Sequence, residues 1–226
     1  MSTPGAAGRR YAAIIGDIRR SRDLEERAAV QERLDATLKH INAEVKPIVA
    51  AGFVITLGDE FQGLVDRASG VVGILNKLDM ALLGIPLRFA VGWGEVSTAV
   101  REVALGIDGP CFHAARAAME RSKRDGRWVT FSGFGELEDQ LLNALYWLMG
   151  GVRAGWTEIQ AETVWAARGA RTQTEVAQER GRHASTVSKA LKSALYDPVL
   201  AAEEAAQSLL ERVDARDKGD DSELRV

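Results

Sequence analysis

Apolar positions along the chain follow two rhythms. Tyr11-Ala-Ala-Ile-Ile-Gly-Asp-Ile18 is a near-continuous apolar run, the pattern of a strand buried on both faces. Phe53-Val-Ile-Thr-Leu-Gly-Asp-Glu-Phe-Gln-Gly-Leu-Val65 rises to Gly58-Asp59-Glu60 and falls away again, which predicts a β-hairpin over 53–66 with Gly58 in the turn. Between them, Leu24, Leu34, Leu38, Ile41 and Val45 keep a helical period until Pro47, with Ser21 as cap and Asp23, Glu25 and Glu26 in the first turn. Val71, Ile74, Leu75, Leu78 and Leu82 predict a second helix over Ser69–Leu83.

Pro86 opens a third strand, Leu87–Val96. Phe89, Val91 and Trp93 share one face, leaving Ala90, Gly92 and Gly94 on the other. A face so nearly bare admits close approach by a packed helix or by a nucleotide. Gly109-Pro110 precedes a small-residue helix, Cys111–Ser122, and Arg127–Phe131 reads as a short closing strand. Strands alternating with helices predict an α/β sandwich over 9–132.

From Phe134 the rhythm is helical only. Leu137, Leu141, Leu142, Leu145 and Leu148 line a helix ending near Gly150-Gly151, and Trp156–Trp165 forms another. The stretch Thr172–Lys192 then has helix-turn-helix spacing: Val176 and Ala177 pack a first helix, Gly181 permits the turn, Ser185 caps a second helix, and Val187 and Leu191 anchor it. An all-α helix-turn-helix domain over 133–200 follows. Its candidate DNA-contacting residues are Arg182, His183, Ser185, Thr186, Ser188, Lys189 and Lys192, short polar and basic groups suited to base edges and phosphates. Residues 199–213 predict a last amphipathic helix serving as a dimer element, and the charged tail from Asp214 reads as disordered within a segment 201–226. Trp147, Trp156 and Trp165 read as core.

Composition narrows the partners. The net charge is −3, so nothing pulls the whole molecule toward nucleic acid or membrane. Residues 150–200 alone carry seven Lys/Arg (153, 168, 171, 180, 182, 189, 192) against five Asp/Glu (158, 162, 175, 179, 197), a local balance of +2. So modest a patch predicts that duplex DNA is bound by a homodimer. The single cysteine, Cys111, excludes an internal disulfide, and no Cys/His spacing suits zinc. Residues 1–10 lack a signal-peptide core, while Val71–Trp93 is broken by Lys77, Asp79, Pro86 and Arg88. A cytoplasmic protein with no membrane partner is expected.

The chemistry concentrates at two strand ends. Asp17 closes the first strand and Asp59-Glu60 tips the hairpin, a hard-oxygen set suited to a divalent cation such as Mg or Mn. The plain alternative is that these acids only terminate strands. Arg19, Arg20 and Arg22 follow Asp17 as either solvated charge or a phosphate clamp. With Gly58, Gly92 and Gly94, Arg19 and Arg20 make up the candidate nucleotide-contacting set.

Four ordered motifs, Ala12–Ile18, Gly58–Leu64, Arg88–Val96 and Gly109–Glu120, resemble the SatD family of bacterial proteins. In the same order they resemble, more distantly, the palm-type, ferredoxin-like core of class III nucleotide cyclases and GGDEF diguanylate cyclases. That resemblance implies metal ligation by Asp17 and Asp59 against a triphosphate and a catalytic role for Arg116. The chain departs from it where a cyclase places Asn one turn before the Arg (Phe112), at the purine-reading lysines (Phe53, Ile55), and at the first Gly of the diguanylate motif (Leu57). Two functions are therefore expected. One is a DNA-binding transcription regulator whose cyclase-like domain senses a nucleotide or other phosphorylated ligand through a divalent metal. The alternative is a metal-dependent nucleotide cyclase or nucleotidyl-transfer enzyme with a helix-turn-helix appendage.

Overall fold

Strand β1 (Arg10–Ile18) has an antiparallel neighbour on each side, β3 (Glu60–Val65) and β4 (Leu87–Glu95). Strand β2 (Val49–Leu57) pairs with β3 in the expected hairpin, and β5 (Val129–Ser132) adds to β4 in parallel, giving the order β2-β3-β1-β4-β5. The computed structural model describes residues 8–19, 27–169 and 172–219. The expected cap Ser21, with Asp23, Leu24, Glu25 and Glu26, lies outside them, as do Arg20, Arg22 and Arg171.

Both faces of the sheet are covered, which explains the unbroken apolar run of β1. Ala12, Ile14 and Ile18 meet α1 (Arg27–Glu44) and α2 (Val71–Ala81) through a cluster that includes Leu34, Ile41, Ile74 and Leu78. Tyr11, Ala13 and Ile15 meet Cys111, Phe112, Ala115 and Met119 of α3 (Pro110–Asp125) on the other face. Burial pushes the Cys111 thiol up to about 12, so this lone cysteine is an inert packing residue.

The bare face of β4 seats α3. A Cβ on Gly92 would fall inside contact distance of the Cys111 carbonyl oxygen and the Ala115 nitrogen, and one on Gly94 would stand 3.1 Å from the Cys111 nitrogen. The expected nucleotide contacts at Gly92 and Gly94 are thereby corrected: helix backbone occupies that space.

Among the described residues five further helices follow: α4 (Glu136–Ala154), α5 (Glu158–Ala167), α6 (Gln173–Glu179), α7 (Ala184–Ser193) and α8 (Tyr196–Asp217). They do not form the expected unit over 133–200. Leu142, Tyr146 and Met149 of α4, with Val199, Ala206, Leu210 and Val213 of α8, belong to the main core. Helices α5–α7 have a core of their own, built from Val164, Val176, Ala177, Val187, Leu191 and Ala194.

The last helix therefore spends its apolar stripe inside its own chain and is not a free dimer element. Nor is Asp214 the start of a loose tail. Its carboxylate accepts from the backbone N–H groups of Ala68 (2.6 Å) and Ser69 (3.0 Å), while Asp217 accepts from Trp93 Nε1 at 3.1 Å.

Two buried ion pairs bind the α5–α7 unit and its leading helix to the core. Arg153 pairs with Asp79 and lies over the rings of Trp128 (3.9 Å), Trp156 (5.2 Å) and Trp165 (5.5 Å). Arg168 grips Glu203 with two 2.6 Å hydrogen bonds, and Asn76 adds a third at 3.2 Å. Trp165 is core as expected, whereas Trp147 stands 59% exposed. The α7 cap position belongs to His183 rather than Ser185, and complete capping boxes at Thr157 and Thr172 start α5 and α6. Among the described residues no helix is long and apolar enough to cross a membrane.

Candidate functional site

Sheet register brings one charged row together. Asp17 at the end of β1 stands opposite Glu60 on β3 and Arg88 on β4, all three on the α3 face. Arg88 donates to Asp17 Oδ2 at 3.2 Å, and Lys123, from the last turn of α3, brings Nζ to 4.0 Å of Oδ1. Burial raises the Asp17 carboxyl above its ordinary range; Lys123 and Arg88 pull it back, and Asp59 pushes it further up. Burial likewise lowers the Arg88 guanidinium. Arg19 stands close enough to Arg88 to be felt electrostatically, and its own N–H donates to the Pro86 carbonyl at 2.7 Å.

The hairpin tip is a two-residue turn, Gly58-Asp59, with Gly58 in the left-handed region at φ 62°. Gln31 Nε2 donates to the Gly58 carbonyl at 3.2 Å, pinning the tip to α1. Half-buried Glu60 receives the Thr56 hydroxyl on its carbonyl oxygen at 3.2 Å. The space bordered by Ile18, Gln31, Gly58 and Asp59 is only about 10 Å³. A cavity of about 570 Å³ opens instead where α2, α5 and α8 meet, lined by residues including Met80, Trp165, Arg168, Tyr196 and Leu200.

A divalent metal was expected at Asp17, Asp59 and Glu60, and the structure sets that corner as follows. Two side-chain cations already compensate Asp17, and among the described residues no three His, Cys, Asp or Glu side chains are grouped as ligands. Arg116 is not at this corner. It lies seven residues before Lys123, about 10 Å back along α3, and its guanidinium donates to Asp108 Oδ1 at 3.1 Å. His113 joins the same carboxylate at 3.2 Å, and the hydrogen bonds from Arg116 and His113 hold Asp108 below the usual carboxylate range. Arg116 and Asp17, expected at one site, thus stand apart within one protomer.

Arg88 and Lys123 are the corner residues that sequence reasoning missed. Arg88 had a signal, since strand alternation puts it on the bare face of β4 at the end nearest Asp17. Lys123 had none.

The α6–α7 pair offers a second surface. The turn 180–183 turns on Gly181 at φ 59°, and Arg182, His183, Ser185, Thr186, Ser188, Lys189 and Lys192 are all exposed. Several cations counted toward the basic patch are spent elsewhere: Arg153 on Asp79, Arg168 on Glu203 and Arg180 on Glu162. Arg182, Lys189 and Lys192 form no ion pair among the described residues.

Fold and surfaces define a mixed α/β protein with a five-stranded sheet and an attached helical hairpin. The chain belongs to the SatD family, whose sequence profile matches residues 11–210. No curated protein matches it. Among solved structures it is similar to a bacterial light-regulated adenylyl cyclase (10% identity, TM-score 0.42, 58% of this chain and 44% of that one). It is also similar to the guanylyl cyclase Cya2 (17%, TM-score 0.36, 53% and 73%) and to Csm1 of T. onnurineus (16%, TM-score 0.32, 87% and 37%). The match thus spans less than half of the light-regulated cyclase, and likenesses this distant carry no weight for function.

Proposed function

We propose that the chain is a DNA-binding regulator in which α7 enters the major groove and the α/β core carries the response to a phosphorylated ligand. One observation carries the reading. Val164, Val176, Ala177, Val187 and Leu191 lock α5, α6 and α7 together, while every polar residue of α7 and its preceding turn named above faces outward. Arg182, Lys189 and Lys192 supply few phosphate contacts per protomer, so binding is weak in one copy and steep in salt for two. At the Asp17 corner Arg88 and Lys123 are paired with Asp17, and exposed Arg19, which forms no ion pair among the described residues, is the cation left for an anionic ligand.

Fluorescence anisotropy with labelled duplexes from 50 to 200 mM salt tests this. Lys189→Ala with Lys192→Ala is expected to weaken binding at least about tenfold and to flatten the log K against log salt slope by about two per protomer. Absence of duplex binding at the lowest salt, or a double variant indistinguishable from the parent chain, would overturn it.

A second reading, turnover of nucleoside triphosphates, is favoured by the convergence of Asp17 and Asp59 at one end of the sheet. It predicts a new product by chromatography after incubation of the chain with a nucleoside triphosphate and magnesium or manganese, abolished by Asp59→Asn. Unchanged nucleotides would remove this reading.

A further inference from the structure

A solvent-facing helix usually carries charge on its outer side; between its first and last turns α4 does not. From Gln140 to Val152 it has no charged side chain at all. Its inner side is in the core through Leu142, Tyr146 and Met149. Its outer side places Leu137, Leu141, Ala144, Leu148 and Gly151 at spacings of 4, 3, 4 and 3, all exposed. That is the spacing of a helix–helix seam with a shallow left-handed crossing. Leu148 is 72% exposed, Leu137 61% and Leu141 40%, and Trp147, under the Arg127 guanidinium at 4.5 Å, continues the same surface.

We infer that this face of α4 pairs with the same face of a second copy of the chain across a two-fold axis near Ala144. Area and self-complementary spacing argue for a second copy as the occupant. The three leucines and Trp147 expose roughly 450 Å² of apolar surface, near the upper end of what a monomer leaves bare. Two such faces bury up to roughly 900 Å², so the flanking residues carry the contact past the roughly 1,000 Å² that a biological interface needs. The seam is also self-complementary: Ala144 at its centre lets the backbones approach, and across the two-fold each Leu141 lies against the partner copy's Leu148. A closed pair results, since an isologous contact uses the patch once on each copy.

This inference stands apart from the DNA-binding reading, and its test uses the full chain without DNA. Sedimentation equilibrium across 1–100 µM is expected to show a dimer, and Leu141→Arg and Leu148→Arg each to shift the midpoint for dissociation at least about a hundredfold upward. Both sites are exposed, so circular dichroism is expected to show unchanged secondary structure. Ala144→Cys is expected to form an intermolecular disulfide on mild oxidation, the buried Cys111 of the parent chain forming none. A monomer at 100 µM, or a dimer untouched by both arginine variants, would overturn the assignment; the first of these outcomes would hand the face to a different protein.

Discussion

Replacing Gly92 with alanine is expected to destabilise the protein by about 3 kcal/mol or more, a large share of the roughly 5–15 kcal/mol that holds a typical folded domain together. The added methyl group meets backbone atoms of α3, the Cys111 carbonyl oxygen and the Ala115 nitrogen, and no side-chain rotation can clear it. The whole helix must lift, separating Phe112, Ala115 and Met119 from Ala13, Ile15 and Ala90. The same substitution at Gly73, on the exposed side of α2 with nothing near the new Cβ, is expected to stabilise by about 0.5–1 kcal/mol, because alanine is the better helix former. Urea midpoints for the two variants check both signs. A Gly92→Ala protein as stable as its parent would mean that α3 does not sit where the packing places it, and would reopen that strand face to a ligand.

The second large effect lies at the junction of the helical unit and the core. Arg168→Met leaves the Glu203 carboxylate, whose side chain is 7% exposed, with Asn76 as its remaining hydrogen-bonding partner. Removing one partner of a buried pair strands the other charge, and the expected loss is about 3–5 kcal/mol. Adding Glu203→Leu to Arg168→Met is expected to recover most of it, since the pair's desolvation cost then disappears along with its attraction. A double-mutant cycle by urea denaturation measures this. A double variant no better than Arg168→Met would show that the guanidinium matters for its packing over the Trp165 ring, 4.6 Å away, rather than for its charge.

What was legible in the chain was whatever repeats over a few residues. Strand β1 shows itself as an unbroken apolar run, the hairpin expected over 53–66 as two apolar runs about Gly58, β4 by its alternation of large and bare positions, and α3 because small residues cluster after Gly109-Pro110. The hairpin between α6 and α7 was legible for the same reason, Gly181 marking the turn and Val187 and Leu191 the inner side. The chemistry was read less well. The two acids were visible as strand ends, but their partners come from elements far along the chain: Arg88 lies 71 residues from Asp17. Lys123 arrives only because α3 runs antiparallel to β4 and ends over the corner. Read on its own, the acid pair suggested a metal; the fold adds Arg88 and Lys123 beside Asp17, which the sequence did not place there.

The sequence by itself determined the local elements, the bare face of β4 and the polar outer side of α7, because each follows from the side-chain period of one segment. Tertiary structure alone decided that α8 closes the core instead of waiting for a partner, that α4 keeps one uncharged side outward, and that Arg116 and Asp17 stand apart. An amphipathic stripe states that a surface must be buried but not against what; that choice is made by packing among distant segments, where shape and charge compensation are settled together.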